Sequence, residues 1–422
     1  MPGSLSPNAH AVPPDKHSGQ VITRQRPELL PDCGEPTGPG SNGLRRVMQC
    51  ALGIPYYGGN RVRRLLNGDQ AIPAIYDAID AAEHSIDMAQ FVLWKSAAAD
   101  GLLDRLRAAG ERGVRVRLLL DGFGSYPFKD RDIRDRIGGS ATVQRFRPLR
   151  LRRGFRNLNR SHRRMLVVDH AVAFTGGIGF GEEWFPQDDD QATPWRDSHF
   201  ELRGPGIDGF YGAFSEHWAE ALDRPVAGLN RMPAPEPAGD AEVQIIRADT
   251  SMKWSDVATA FRTLLQHAGS RFWLTTAYFT IDTSTARLLR DAAHRGVDVR
   301  VLIPGRHVDK WVEWFSMQES LALLEDAPIR AYRYQPAMLH AKTLVVDDDI
   351  AAFGSANFNF RSFRQDDEIL VNCVDPALNR TLAEDFRNDL EAAEEVPLPY
   401  TAPRGLRARL GRFASRHARP HL

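Results

Sequence analysis

The feature that most constrains the fold is a pattern that occurs twice. His162, Arg164 and Asp169 stand in the run SHRRMLVVDHAVAFTGG, and His340, Lys342 and Asp347 stand in LHAKTLVVDDDIAAFGS. Each reads His, one residue, a cation, four residues, Asp, and each closes on a small pair, Gly176-Gly177 and Gly354-Ser355. The histidines are 178 positions apart, residue 162 against residue 340. The segments ERGVRVRLLLDG and HRGVDVRVLIPG also match, with Gly113 and Gly296 separated by 183 positions. Near-equal offsets across several segments mean a duplicated unit of domain size, not a short solenoid repeat. Two imidazoles and two cations on equivalent local structures predict one pocket built by two halves. Breaking and remaking a phosphodiester bond calls for such a pocket.

The segments around the motifs alternate. In AIPAIYDAIDAAEHS the apolar residues Ile72, Ile75, Ile79 and Ala82 keep helical spacing, and SIDMAQFVLW reads as a strand. GLLDRLRAAGERG is an amphipathic helix ending at Gly113, followed by the strand VRVRLLLDGFG. The order returns later as VATAFRTLLQHAG, RFWLTTAYF, ARLLRDAAHRG and VDVRVLIPG. The fold class that follows is α/β: two duplicated α/β/α lobes with mixed, largely parallel sheets, related by a pseudo-two-fold axis. Residues 1–45, rich in Pro, Gly and Ser without any period, read as disordered. Residues 46–224 form the first lobe and 225–240 a linker carrying Pro225, Pro233, Pro235 and Pro237. Residues 241–400 form the second lobe and 401–422 a basic tail.

The formal net charge is zero, which argues against nucleic acid as a partner. The distribution says more. Nine arginines fall between Arg145 and Arg164, and six more between Arg404 and Arg419 with no acid among them. These blocks are expected to meet anions. The acidic clusters Asp188–Asp190, Asp366–Glu368 and Glu391–Glu395 read as solvated faces. Cys33, Cys50 and Cys373 give neither a disulfide framework nor zinc spacing, which fits a reducing cytosol. No apolar run approaches the length of a membrane span, and the N-terminus lacks the pattern of a secretory signal.

In the second motif, MLHAKTLVVDD alternates like a strand, which predicts His340 and Lys342 on one face. The ammonium would neutralise a phosphate oxygen, leaving the imidazole to attack or to move a proton. Asp347, at an odd offset, is expected to pin the following turn. Ser355 and Asn357, in AAFGSANFNFRSF, are expected to hydrogen-bond phosphate oxygens.

These motifs resemble the phospholipase D superfamily, whose signature is His, any residue, Lys, four residues, Asp, in two copies. Within it the chain is similar to the bacterial cardiolipin synthases of the short type without membrane-spanning helices, from about Val62 to Glu395. The shared segments include WRDSHFELRGP, MLHAKTLVVDD and GSANFNFRSF. The resemblance implies that His162 and His340 face each other across one phosphate, that one forms a phosphohistidine and that the other serves as acid and then base. Family precedent favours His162 as the attacking group, whereas the motif around His340 is the better preserved. Arg164 and Lys342 would hold the phosphate oxygens, with no metal and no cofactor. An acid downstream of each motif would orient its imidazole: Asp197 after His162 and Glu368 after His340. Two departures fall in the first half: Arg164 replaces the signature Lys, and Gly179 stands where the second half has Asn357.

The implied partners are an anionic phospholipid and a membrane surface, met from the cytoplasm at the inner face of the cell membrane. The tail PRGLRARLGRFASRHARPHL can form a basic amphipathic helix, and Trp184, Phe185, Trp311, Trp314 and Phe315 are candidates for an apolar rim. A phospholipase D that hydrolyses phospholipids and a nuclease of the same superfamily are the alternatives. The oligomeric state is not legible.

Overall fold

The computed structural model describes residues 41–149, 159–185, 193–224, 233–249 and 255–401. After helix α1 (Ser41–Leu52), the first half runs β1 (Tyr57–Leu66), α2 (Asn67–Asp80), β2 (Ser85–Gln90), α3 (Ala97–Glu111), β3 (Arg115–Asp121), α4 (Asp130–Ile137), β4 (Ala141–Phe146), β5 (Arg160–Ser161), β6 (Met165–Val168), β7 (Val172–Gly176), β8 (Ser198–Arg203) and α5 (Ile207–Leu222). The second half runs β9 (Ala241–Arg247), α6 (Asp256–His267), β10 (Arg271–Thr275), α7 (Thr283–His294), β11 (Asp298–Pro304), α8 (Trp311–Ala322), β12 (Arg330–Tyr334), β13 (Thr343–Val346), β14 (Ile350–Gly354), α9 (Phe360–Arg364), β15 (Asp366–Asp367), β16 (Ile369–Val374), α10 (Pro376–Glu391) and β17 (Ala393–Val396).

Fifteen strands form one sheet in the order β17-β12-β11-β10-β13-β14-β16-β9-β1-β8-β7-β6-β2-β3-β4. The order is palindromic about the antiparallel pair β1 and β9. A pseudo-two-fold axis at that pair carries one half onto the other, with β17 added at one edge. The sheet is mixed, as the sequence predicts, but it is not largely parallel. Parallel pairing is confined to β2-β3, β3-β4, β10-β11 and β11-β12. These are the strands joined by helical crossovers. The motif strands are joined by tight turns, β6 to β7 through Asp169-Ala171 and β13 to β14 through Asp347-Asp349, and such connections permit only antiparallel neighbours.

One face of the sheet carries α2, α3 and α4 over the first half and α6, α7 and α8 over the second, each set with its own apolar core. On the other face α5 and α10 cover a third core drawn from both halves, in which Phe200 stacks on Phe353 at 3.8 Å. The lobes are thus fused through sheet and core. The described part of the linker, 233–240, has neither helix nor strand, and Ala238 donates its N–H to the Gly59 carbonyl of β1 at 2.7 Å. The rest of the linker, residues 1–40 and the tail beyond 401 lie outside the described residues.

Two boundaries move. Residues 41–45, read as disordered, begin α1, whose Leu44, Met48 and Leu52 recur every four residues and form one apolar stripe. That helix precedes the first lobe in sequence, yet it packs on α6 in the core of the second, with Met48 fully buried. Met48→Ala is therefore expected to lower global stability by about 2–5 kcal/mol in urea unfolding; an unchanged midpoint would show that α1 is not part of that core.

Candidate active site

The two motifs meet because each half places the other's histidine. Strand β5 pairs in parallel with β15, and His162, the next residue, donates its N–H to the Asp367 carbonyl at 2.9 Å. In the other half Arg196 bridges Leu339 in parallel, and His340 donates its N–H to the Arg196 carbonyl at 2.7 Å. The residues after Asp367 and Arg196 are the acids Glu368 and Asp197. Each carboxylate therefore lies beside the imidazole of the opposite half. His162 Nδ1 is 3.0 and 3.1 Å from the Glu368 oxygens, and His340 Nδ1 is 2.7 Å from Asp197 Oδ2. This crosses the pairing expected from sequence, which matched each acid with the motif of its own half. With Nδ1–H given to a carboxylate, Nε2 keeps the free lone pair of each ring.

Both acids are buried and held by further donors. Glu368 accepts from the hydroxyls of Ser355 and Ser362 at 2.5 and 2.7 Å. Burial alone would raise its pKa, but His162 and these hydroxyls hold it below the usual carboxylate range. Asp197 accepts from the Trp184 indole N–H at 2.7 Å and the Ser198 N–H at 2.8 Å. Burial dominates there and raises it, against the charges of Lys342 and Arg164. Burial, Lys342 and Arg164 together hold His340 well below its ordinary range, so its ring is neutral at pH 7.

The cations sit against the rings. Arg164 Nη2 is 3.5 Å from His162 Nε2, and Lys342 Nζ is 3.2 Å from His340 Nε2. Arg164 Nε and Nη1 and Asn357 Oδ1 are buried and make no hydrogen bond within the described residues. The Arg164 N–H groups beside two imidazoles fit the oxygens of a tetrahedral phosphate, whereas Asn357 Oδ1 is an acceptor and fits a hydroxyl. Burial pushes the Lys342 ammonium down to about 7, with Asp197 opposing and Arg164 adding to the shift. His162, Arg164, His340 and Asn357 line one cavity of about 370 Å³.

Other expected residues stand elsewhere. Asp169 and Asp347 take left-handed backbone conformations, φ 52° and 49°, in the turns after the motif strands. The Asp169 carboxylate accepts the N–H groups of Glu83, His84 and Ser85, and that of Asp347 accepts those of Gly269, Ser270 and Arg271. They tie each motif turn to the entry of β2 or β10 and do not line the cavity. Asp347 fixes a preceding loop, not the following turn. Ser355 holds Glu368 and is not among the cavity-lining residues. His340 and Lys342 lie in the segment before β13, outside any strand.

Of the described arginines of the first block, all but Arg164 are paired with acids, Arg160 with Asp121 at 3.8 Å. Arg147 pairs with Glu220 and Asp367, Arg163 with Glu216, and Arg145 with Asp130. The cluster Asp366–Glu368, read as a solvated face, is buried. Trp184, expected at the rim, is buried under His340. Among the described residues the exposed large rings are Phe123, Tyr126 and Trp311. Sequence reading also missed Trp94, Trp195, Tyr278, Asp309, Glu313 and Asn359 around the cavity. Most of these follow the strands equivalent to β2 and β11, a signal that aligning the halves strand by strand would have exposed.

A doubled α/β unit that brings a His-x-cation motif from each copy to one cavity defines the phospholipase D-like class. The phosphatidylserine synthase of Haemophilus influenzae Rd KW20 shares this fold, with a TM-score of 0.70 over 90% of this chain and 99% of that one at 14% identity. More particularly, the family model described as cardiolipin synthase, PLD-like domain, matches residues 75–199 and 261–390, and the chain belongs to that family. Cardiolipin synthase A of Pseudomonas aeruginosa is 34% identical over 370 residues, which cover 84% of this chain and 73% of that protein. Cardiolipin synthase 2 of Bacillus anthracis is 29% identical over 363 residues, covering 85% and 70%.

Lys342, beside the lining His340 though not itself a lining residue, loses its proton as pH rises through about 7, and Glu313 in the lining gains a charge over the same range, so binding of an anion in this cavity should weaken as pH rises. Calorimetric titration with sulfate, whose charge is constant, should show affinity falling between about pH 6 and about pH 8. A constant affinity over that range would contradict the placement of Lys342.

Proposed function

We propose that this protein is a phosphatidyltransferase that makes cardiolipin from two phosphatidylglycerol molecules. The observation that carries the reading is the pair of crossed His–carboxylate contacts at one cavity, with the buried Arg164 in its lining and the buried Lys342 beside His340. The family and the named relatives supply the substrate. One imidazole Nε2 attacks phosphorus and the bond to the headgroup glycerol oxygen breaks. The other imidazole, protonated, gives its proton to that oxygen and glycerol leaves. It then takes the proton of a hydroxyl on a second phosphatidylglycerol, whose oxygen attacks phosphorus and frees the first ring. Arg164 and Lys342 stabilise charge on the non-bridging oxygens. Asp197 and Glu368 orient the rings and stabilise each imidazolium as it forms.

The proposed place of work is an anionic membrane surface. Among the described residues no helix is long and apolar enough to cross a membrane. The loops after β3 and β11, equivalent under the pseudo-symmetry, each reach the cavity mouth, through Phe123 and Lys310. They carry exposed rings, Tyr126 at 71% and Trp311 at 60% exposure, beside the exposed cations Lys129, Arg306 and Lys310. Rings with neighbouring cations suit the headgroup layer.

Incubation with phosphatidylglycerol vesicles should give cardiolipin and glycerol, and His162→Ala and His340→Ala should each lower kcat by at least about 10³-fold. Phosphatidic acid as the sole product would rule out the transferase. In vesicle sedimentation, the double variant Tyr126→Ser, Trp311→Ser should bind at least about fivefold more weakly; unchanged binding would place the membrane contact on another face.

A further inference from the structure

The cavity breaks the symmetry of the fold that builds it. The motif histidines align at an offset of 178, so Gly179 is equivalent to Asn357 and Gly181 to Asn359. Ile86 pairs opposite Val168 and Phe272 opposite Val346, which aligns β2 with β10. By that alignment Val92 is equivalent to Tyr278 and Trp94 to Thr280. At four matched positions the first half therefore presents Val, Trp, Gly and Gly where the second presents Tyr, Thr, Asn and Asn. The glycines make room for the indoles. A Cβ on Gly179 would lie 2.9 Å from Val92 Cβ and 3.2 Å from the Trp184 ring, and one on Gly181 would lie 3.2 Å from the Trp94 ring. The first-half side of the cavity is an aromatic wall of Phe91, Trp94, Trp184 and Trp195.

The second-half side is polar. It adds Asp309 and Glu313 to Asn357 and Asn359. Tyr278 donates its hydroxyl to Asp309 at 2.6 Å. Glu313, only 2% exposed, accepts a long 3.4 Å hydrogen bond from the Thr280 hydroxyl. Burial raises its carboxyl to about 7, with Lys310 opposing. Arg361 on this side is neutralised by Asp366 at 2.8 Å. The buried Asn357 Oδ1, without a hydrogen-bond partner among the described residues, belongs to a residue that lines the same cavity.

Two chemically different walls on either side of one phosphorus divide the substrate. We infer that the aromatic wall holds the diacylglycerol side of the phosphatidyl group, and that the wall of Asp309, Glu313, Asn357 and Asn359 is the subsite for the exchanging alcohol, selecting a polyol of the glycerol type through its free hydroxyls. This rests on the transferase reading. In that reaction the diacylglycerol stays in place while glycerol leaves and the glycerol headgroup of the acceptor enters, so one subsite sees hydroxyls twice. The buried Glu313 carboxyl, whose bond from Thr280 is long, and the buried Asn357 Oδ1 accept those hydroxyls, and an alcohol lacking them leaves both poorly paired, while Asn359 Oδ1 already accepts the Ser362 N–H at 2.9 Å and only lines the wall.

The test is a partition experiment on the full chain. Short-chain phosphatidylglycerol serves as donor, with deuterated glycerol and 1-propanol competing as acceptors and products read by mass spectrometry. Both products come from one intermediate, so their ratio does not depend on how much enzyme is active. The wild type should favour glycerol, and Glu313→Leu should lower the glycerol-to-propanol ratio about 10- to 100-fold, with Glu313→Gln recovering part of it. Asp309→Ala, at an exposed position, should move the ratio the same way and stands in if Glu313→Leu does not fold. An active wild type with a ratio near one, or a Glu313→Leu ratio within about twofold of wild type, overturns the inference alone. Preference for ethanolamine over glycerol would assign the carboxylates to an ammonium and overturn it too. A wild type that turns over no phospholipid overturns the transferase reading itself.

Discussion

The molecule depends on an exchange of short backbone segments between its halves. Arg160 to His162 lie along Asp366 and Asp367, and Leu339 and His340 lie along Arg196. Each contact is only a residue or two long, and alone neither would hold two domains. They are held in register by the continuous sheet and the shared core behind them, where Phe200 and Phe353 stack. The exchange puts a carboxylate from one copy behind the imidazole of the other. A buried carboxylate without a partner is costly, and each of these takes its imidazole partner from the other half. Catalytic geometry and lobe association are thus one constraint.

Within that frame the two His–acid pairs differ. Glu368 is held by hydroxyls from its own half and stays strongly acidic. Asp197 is held by an indole and by its neighbour's amide, and burial raises it. The longer side chain of Glu368 leaves room for Ser355. On the opposite side the position equivalent to Ser355 is Gly177, where a Cβ would meet Asp197 Oδ1 at 2.0 Å. The departures from the signature in the first half therefore form a set: Gly177 admits Asp197, Gly179 admits Trp184, and Arg164 lies with its guanidinium 5.5 Å over the Trp184 ring.

Much of this was legible in the sequence, for identifiable reasons. The paired motifs, the duplicated order and the four residues His162, Arg164, His340 and Lys342 follow from spacing, since a repeat of domain size leaves its mark at fixed offsets. The acids Asp197 and Glu368 were legible as residues but not as partners. Nothing along a single copy says that a segment will cross to the other, and the sequence distance within a half misled. Asp169 and Asp347 look catalytic because they end the motif, yet their left-handed turns aim them at the loops before β2 and β10. Arg145, Arg147 and Arg163 look like part of an anion site because their counter-ions, Asp130, Glu220 and Glu216, come from other elements. Whether a sheet is parallel is set by connection length, and the short turns after Val168 and Val346 outweigh the crossovers that dominate the reading of the flanks.

Helix α1 has a consequence for how the chain is made. Its stripe of Leu44, Met48 and Leu52 leaves the ribosome well before α6, where Phe261 of the same apolar cluster lies 213 residues beyond Met48. At synthesis rates of about 5–20 residues per second, the wait is roughly 10–40 seconds. During that interval the whole first half can collapse around its own core, and the stripe has nothing native to cover it. The nascent chain thus carries an uncovered apolar stripe ahead of the first half until the later copy is translated, which makes the docking of α1 a late event in biogenesis.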